Sequence, residues 1–262
     1  MALGTFFRTT PPQVEAPLAR YRSLASDIEG FFQDGAIACW DYLLATQTAM
    51  AVPGHALEIG VYRGKSALLA ACHMKAGETI ILNDISPVDD TVAKVQSLGG
   101  PDALSVIVKS TSLLHQPQVA PFFGAARWIH IDGDHTAAAA TNDLHVAERF
   151  LAERGVICVD DFFNPRYPQV TAAVYHFLRD RQPLYRMVLC GERKAYIVRA
   201  ADFDIYESLV RKFLAAHLRG CGFVCTIHKS TDSADYGCYS IGPRENDRDY
   251  IGLDQDHDRL PV

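Results

Sequence analysis

Five carboxylates and a histidine recur where short apolar runs give way to polar residues: Asp84, then Asp132, Asp134 and His135, then Asp160 and Asp161. The runs Thr79-Ile-Ile-Leu, Trp128-Ile-His-Ile and Val156-Ile-Cys-Val read as buried strands, so each acidic group falls just past a strand end. Neighbouring parallel strands lie ~4.8 Å apart, close enough for Asp132 and the Asp160–Asp161 pair to converge on one point. Carboxylates gathered this tightly repel unless protonated or bridged by a cation. A hard divalent ion such as Mg²⁺ is the natural bridge, with coordination positions left for water or substrate oxygens. Helix caps at two sheet edges would account for either cluster alone but for both less well.

A fourth segment, Ala56-Leu57-Glu58-Ile-Gly60-Val-Tyr62-Arg-Gly64-Lys-Ser66, is an apolar strand running through a glycine-punctuated turn into a helix. Gly60 and Gly64 allow the tight turn and a close backbone approach to a ligand. Their spacing is neither the dinucleotide GxGxxG nor a P-loop, although Gly64-Lys65-Ser66 superficially mimics the latter. Glu58 would repel phosphates and suits a cationic ligand end, which points to S-adenosylmethionine over a nucleotide polyphosphate. Asp84, ending the next strand, has the position from which an acidic side chain holds a ribose diol. A turn or helix-cap aspartate ahead of Ser86-Pro87 is the plainer alternative.

The elements that must position these groups alternate from residue 55 onward. Strands are expected at 55–59, 79–83, 104–108, 127–131, 155–159, 184–190 and 195–199, with helices at 65–76, 89–98, 136–153 and 168–181. Gly155 reads as a stop signal for the third of these helices. Crossover helices imply an α/β fold: a Rossmann-like, seven-stranded, mostly parallel sheet covered on both faces. The short Gly-Glu-Arg-Lys link before residue 195 has no room for a crossover, so the last two strands should pair antiparallel. Three regions follow: residues 1–50, an arm with Pro11, Pro12 and Pro17 and helices at 18–33 and 36–50; residues 51–202, the ligand-binding core; and residues 203–262, a helix at 203–219, a strand pair near 222–228 and 237–241, and a polar tail from Arg244.

Bulk properties narrow the function. A net charge of −6 and the lack of a basic run argue against nucleic acid as partner. Apolar stretches fall far short of the ~20 residues a membrane span needs, and the N-terminus has no secretory pattern. Seven cysteines lie scattered without CxxC pairs, and Cys72, Cys158 and Cys190 sit within apolar patterns as small hydrophobes. A reduced, cytoplasmic protein is the economical reading.

Leu57-Glu58-Ile-Gly60-Val-Tyr62-Arg-Gly64-Lys-Ser66-Ala67, with Ile-Asp132-Gly-Asp134-His135-Thr and Gly155-Val-Ile-Cys-Val-Asp160-Asp161, resembles the class I S-adenosylmethionine-dependent methyltransferases. The similarity is greatest to catechol O-methyltransferase-type enzymes and to the metal-dependent sugar O-methyltransferases of macrolide and aminocoumarin pathways, and it spans about residues 55–200. It implies that Glu58, Gly60, Tyr62, Gly64 and Ser66 line the methionine end of the cofactor, Asp84 the ribose and Ser110 the adenine. Asp132, Asp160 and Asp161 fall on metal-ligand positions, with Asp132 also bordering the cofactor. His135 or Asp134 falls where the general base stands; the imidazole has the better intrinsic pKa for a hydroxyl proton. His130 is expected to be structural, directed away along a buried strand. Phe162, Phe163, Tyr167 and Trp40 are candidates for the acceptor wall, and each could equally be core. The resemblance implies a hydroxylated small-molecule acceptor on a sugar or natural-product scaffold, with a catechol-like diol as the alternative. In such enzymes N-terminal helices often mediate self-association or cover the active site. Two other classes stay in view: a non-catalytic cofactor-binding module, and a nucleotide oxidoreductase disfavoured by the glycine spacing.

Overall fold

The computed structural model describes residues 15–229 and 237–243; the proline-bearing start of the arm and the polar tail lie outside them. Five strands, β1 (His55–Ile59), β2 (Thr79–Asp84), β3 (Asp102–Ile107), β4 (Ala126–Ile131) and β5 (Leu151–Val159), form a parallel array in the order β3-β2-β1-β4-β5. β6 (Tyr185–Gly191) and β7 (Lys194–Arg199) form the expected antiparallel pair, with β7 inserted between β5 and β6. Their link is a two-residue turn, Glu192 and Arg193, both at positive φ, the backbone twist that suits a tight hairpin. Among the described residues the sheet has nine strands, not seven. β9 (Tyr239–Pro243) pairs parallel with β6, and β8 (Cys225–Lys229) pairs antiparallel with β9, so the late strand pair joins the main sheet.

One face of the sheet is covered by α1 (Glu15–Ala25), α2 (Asp34–Ala49), α3 (Lys65–Cys72), α4 (Asp89–Ser97), and α7 (Phe203–Leu209) continued through a π-turn into α8 (Ala215–Gly220). The other face carries α5 (Ala137–Phe150) and α6 (Pro168–Asp180). Alternation along each strand sorts the side chains between the two cores. Leu57, Ile129, Ile157 and Ile197 join the α5–α6 side, while Ala56, Trp128, Cys158 and Tyr196 join the other. Trp40 of α2 is fully buried against Trp128, His130 and Phe32, so it is a core residue and forms no pocket wall. No helix among the described residues is long and apolar enough to cross a membrane.

Several expected boundaries move; the helix expected over 65–76, for one, ends at Cys72. The helix expected over 18–33 ends at Ala25, and the chain is irregular from there until α2. Gly30 lies at φ 149°, a conformation a helix cannot contain. The helix expected to run to 153 ends at Phe150, and β5 starts at the next residue. Gly155 therefore lies within a strand and stops nothing; Arg154, at φ 57°, makes the irregularity there, its N–H donating to Asp202 Oδ2 at 3.0 Å.

Candidate active site

Three backbone hydrogen bonds continue the sheet one step past its strand ends: Gly60 N–H to Asn83 O (2.9 Å), Asp132 N–H to Ile59 O (2.7 Å) and Asp160 N–H to Ile131 O (2.9 Å). Those bonds bring the first turn and both carboxylate segments to the same edge. That edge is the carboxyl end of the strands, where the order reverses between β1 and β4, the usual ligand crevice of such sheets.

The first turn is held from inside. Gly60 sits at φ 85°, and a Cβ there would lie 1.9 Å from the backbone oxygen of Asp132. Gly60→Ala should therefore cost about 3–5 kcal/mol, from positive-φ strain plus a clash with backbone that cannot move aside. At roughly 2–4 °C per kcal/mol, thermal unfolding should show a Tm at least 6 °C lower; an unchanged Tm would mean that the crossing is looser than described. Gly64, at φ 77°, precedes α3. Asp84 Oδ2 accepts from Val61 N–H (2.8 Å) and Tyr62 N–H (3.0 Å), and Oδ1 from Ser86 N–H (2.9 Å). Asp84 thus shapes the turn, and its Oδ1, with a single hydrogen bond, keeps lone-pair capacity for a ligand. Tyr62 is exposed, at φ 48°. Glu58 is buried below the turn, where its Oε1 accepts from the Ser66 hydroxyl and lies 2.9 Å from His130 Nδ1. Ser110 opens a 3₁₀ turn after β3, its Oγ accepting from Asn142 Nδ2 at 3.3 Å.

Across the edge, His135 Nε2 lies 2.6 Å from Asp161 Oδ2 and 3.6 Å from Asp132 Oδ1. Hydrogen bonds donated to the Asp132 and Asp161 carboxylates raise the imidazole to a pKa of about 10, against an opposing effect of burial. Burial works to raise the Asp161 carboxyl, but His135 and Asn164 bring it below the usual range. The ring of Tyr167 stacks on His135, 4.1 Å between centroids. Asp134 is exposed, and its Oδ1 accepts from Thr136 N–H at 3.2 Å. Of the two base candidates, His135 is the one engaged with the carboxylates. Asp161 and Phe163 both take positive φ, 56° and 61°, a costly conformation for side chains of these shapes. Phe162 is buried, and Phe163 is exposed.

Sequence reasoning missed Lys194 and misplaced His130. Lys194 Nζ, buried on β7, lies 2.6 Å from Asp160 Oδ2 and 3.3 Å from His130 Nε2. Burial works to lower the ammonium's pKa, but the carboxylates of Asp160 and Asp132 overcome it, so Lys194 stays charged. Asp160 Oδ1 accepts from Asp161 N–H at 2.7 Å. His130 therefore does not lead away from the site. It links Glu58 under the first turn to Lys194 and Asp160 under the second. The signal was register: Glu58 precedes Gly60 by two residues, His130 precedes Asp132 by two, and the two pair across β1 and β4.

Asp132, His135 and Asp161 each offer a ligand atom within 4.8 Å of the others, as do His130, Asp132 and Asp160. Oxygen donors dominate both sets, which fits a hard divalent cation. Asp160 contributes to that fit only through the lone pairs that Lys194 and the Asp161 amide leave free.

A family model described as a methyltransferase domain matches residues 57–162. No curated protein matches the chain. Among solved structures, the O-methyltransferase NovP superposes with a TM-score of 0.50 at 13% identity, over 71% of this chain and 96% of that one. The calicheamicin methyltransferase CalS11 gives 0.47 at 15% identity over 76% and 96%. An O-methyltransferase from Bacillus cereus gives 0.46 at 13% over 69% and 88%. At 13% identity the likeness to NovP speaks to the fold alone. The family match marks residues 57–162 as similar to a methyltransferase domain.

Proposed function

We propose that the protein transfers the methyl group of S-adenosylmethionine to a hydroxyl of a small molecule, on a sugar or natural-product scaffold, with a divalent cation at the Asp132–Asp160–Asp161 edge. The observation that carries this reading is the meeting of that cluster with the glycine turn, with His135 on Asp161 and Asp132. The bound cofactor supplies an electrophilic methyl group, and Mg²⁺ at the cluster would make the acceptor hydroxyl more acidic. Glu58, buried under the turn, would serve the cationic end of the cofactor, and Asp84 would hold the ribose. Asp132, Asp160 and Asp161 would hold the cation, with Lys194 fixing the rotamer of Asp160. His135 takes the hydroxyl proton at Nε2, the nitrogen that faces the carboxylates. The imidazole is held charged by Asp132 and Asp161, and a cation shared by those carboxylates would free it to accept a proton. Tyr167, stacked on His135, and the exposed Phe163 would wall the acceptor, and much of the rate gain would come from aligning the two reactants.

Transfer from labelled S-adenosylmethionine to a panel of sugar and catechol hydroxyls, with Mg²⁺ and with EDTA, tests this. Activity should fall by roughly two orders of magnitude or more on chelation, and equally in Asp132→Asn with Mg²⁺ present. Full activity in EDTA would remove the metal from the account while leaving the methyl transfer in place.

A further inference from the structure

A second cluster of ligand-type side chains lies outside the cleft. Asp41 of α2 is 1% exposed. His217 of α8 places Nε2 3.1 Å from Asp41 Oδ2 and 3.4 Å from the thiol of Cys221, which follows that helix. His73, at the end of α3 away from Gly64, places Nε2 2.8 Å from Asp41 Oδ1. The ligand atoms of Asp41, His217 and Cys221 all fall within 4.8 Å of one another.

Two ordinary explanations fit poorly. A nucleophilic Cys-His-Asp triad needs the thiol on one imidazole nitrogen and the acid on the other; here both face Nε2. A plain hydrogen-bonded network should give each buried acceptor its own donor, yet Asp41 Oδ2 has only His217 Nε2, at 3.1 Å and shared with the thiol of Cys221. Three ligand atoms gathered within 4.8 Å of one another, one of them on a buried carboxylate, form an arrangement that can surround a cation.

We propose that Asp41, His217 and Cys221 bind a zinc ion. Thiolate, imidazole and carboxylate are zinc's usual ligands, and the bond lengths they make put neighbouring donors about 3.3–3.6 Å apart in a tetrahedron. The observed 3.1 and 3.4 Å lie close to that. His217 and Cys221 are four residues apart at a helix end, so both reach the same side. One carboxylate and one thiolate balance the ion's charge, which suits a buried position. His73 on the other oxygen of Asp41 is the outer partner that orients a ligating carboxylate. Binding releases the thiol proton and the Nε2 proton of His217, if carried, to solvent. A water completes the four ligands, and the ion fastens the end of α8 to α2.

The test is titration of the metal-free full-length protein with Co²⁺, followed by absorption, then displacement by Zn²⁺. The wild type should show a near-ultraviolet thiolate-to-cobalt band that saturates and is abolished by Zn²⁺. Cys221→Ser should lose the band, and His217→Gln should bind cobalt roughly tenfold or more weakly. Asp160→Ala should retain the band, because the cleft cluster offers no sulfur. A wild type without the band, or a band that persists in Cys221→Ser, would overturn the proposal.

Discussion

His135→Ala should lower the turnover of methyl transfer by about 10²–10⁴-fold, the usual contribution of a positioned general base, while S-adenosylhomocysteine affinity stays within about twofold. The separation is expected because His135 touches Asp132 and Asp161, not the first turn. Asp134→Asn should change turnover little, since that carboxylate is exposed and spent on the start of α5. Steady-state rates at saturating acceptor, with calorimetric cofactor binding beside them, decide the matter. A loss confined to Asp134→Asn would transfer the base to that residue.

Lys194→Met should destabilise the fold by about 3–5 kcal/mol, the range for removing one partner of a buried ion pair. Lys194 is 3% exposed and Asp160 15% exposed on their side chains, so the carboxylate left behind can recruit little water. The ammonium also stands 5.3 Å from the Phe32 ring centroid and 5.7 Å from that of Trp40, and the methionine would forfeit both cation–π contacts. Urea unfolding should show a lower midpoint at an unchanged slope. A loss below about 1 kcal/mol would mean that Asp160 is already neutral beside Lys194.

The alternation of apolar runs with helical segments made the parallel core readable from residue 55 to residue 199, because each buried strand is short, rich in β-branched residues and followed by a polar turn. What escaped was set by partners far along the chain. The helix ending at Phe150 kept its apolar pattern into Leu151 and Ala152, and only pairing with β4 makes those residues a strand. The strand pair near the end was visible, but its attachment to β6 rests on the contact of Leu189 and Cys190 with Tyr239 and Ser240. At the candidate site, the carboxylates were legible because each ends its own strand. Lys194 was not, because it begins a hairpin strand and reaches Asp160 only through the insertion of β7 beside β5. Asp41 and His217 belong to helices 176 positions apart in sequence, so no spacing rule could have joined them.

The central claim is a cofactor site and an acidic metal site sharing one sheet edge. The most direct measurement is isothermal titration of S-adenosylhomocysteine into the protein with Mg²⁺ and with EDTA, on the wild type and on Asp160→Ala. Both proteins should bind the cofactor product, and a separate Mg²⁺ heat should be present in the wild type and absent from Asp160→Ala. A wild type that binds no S-adenosylhomocysteine under either condition would contradict the reading of the Glu58–Ser66 turn, and the proposed methyl transfer with it.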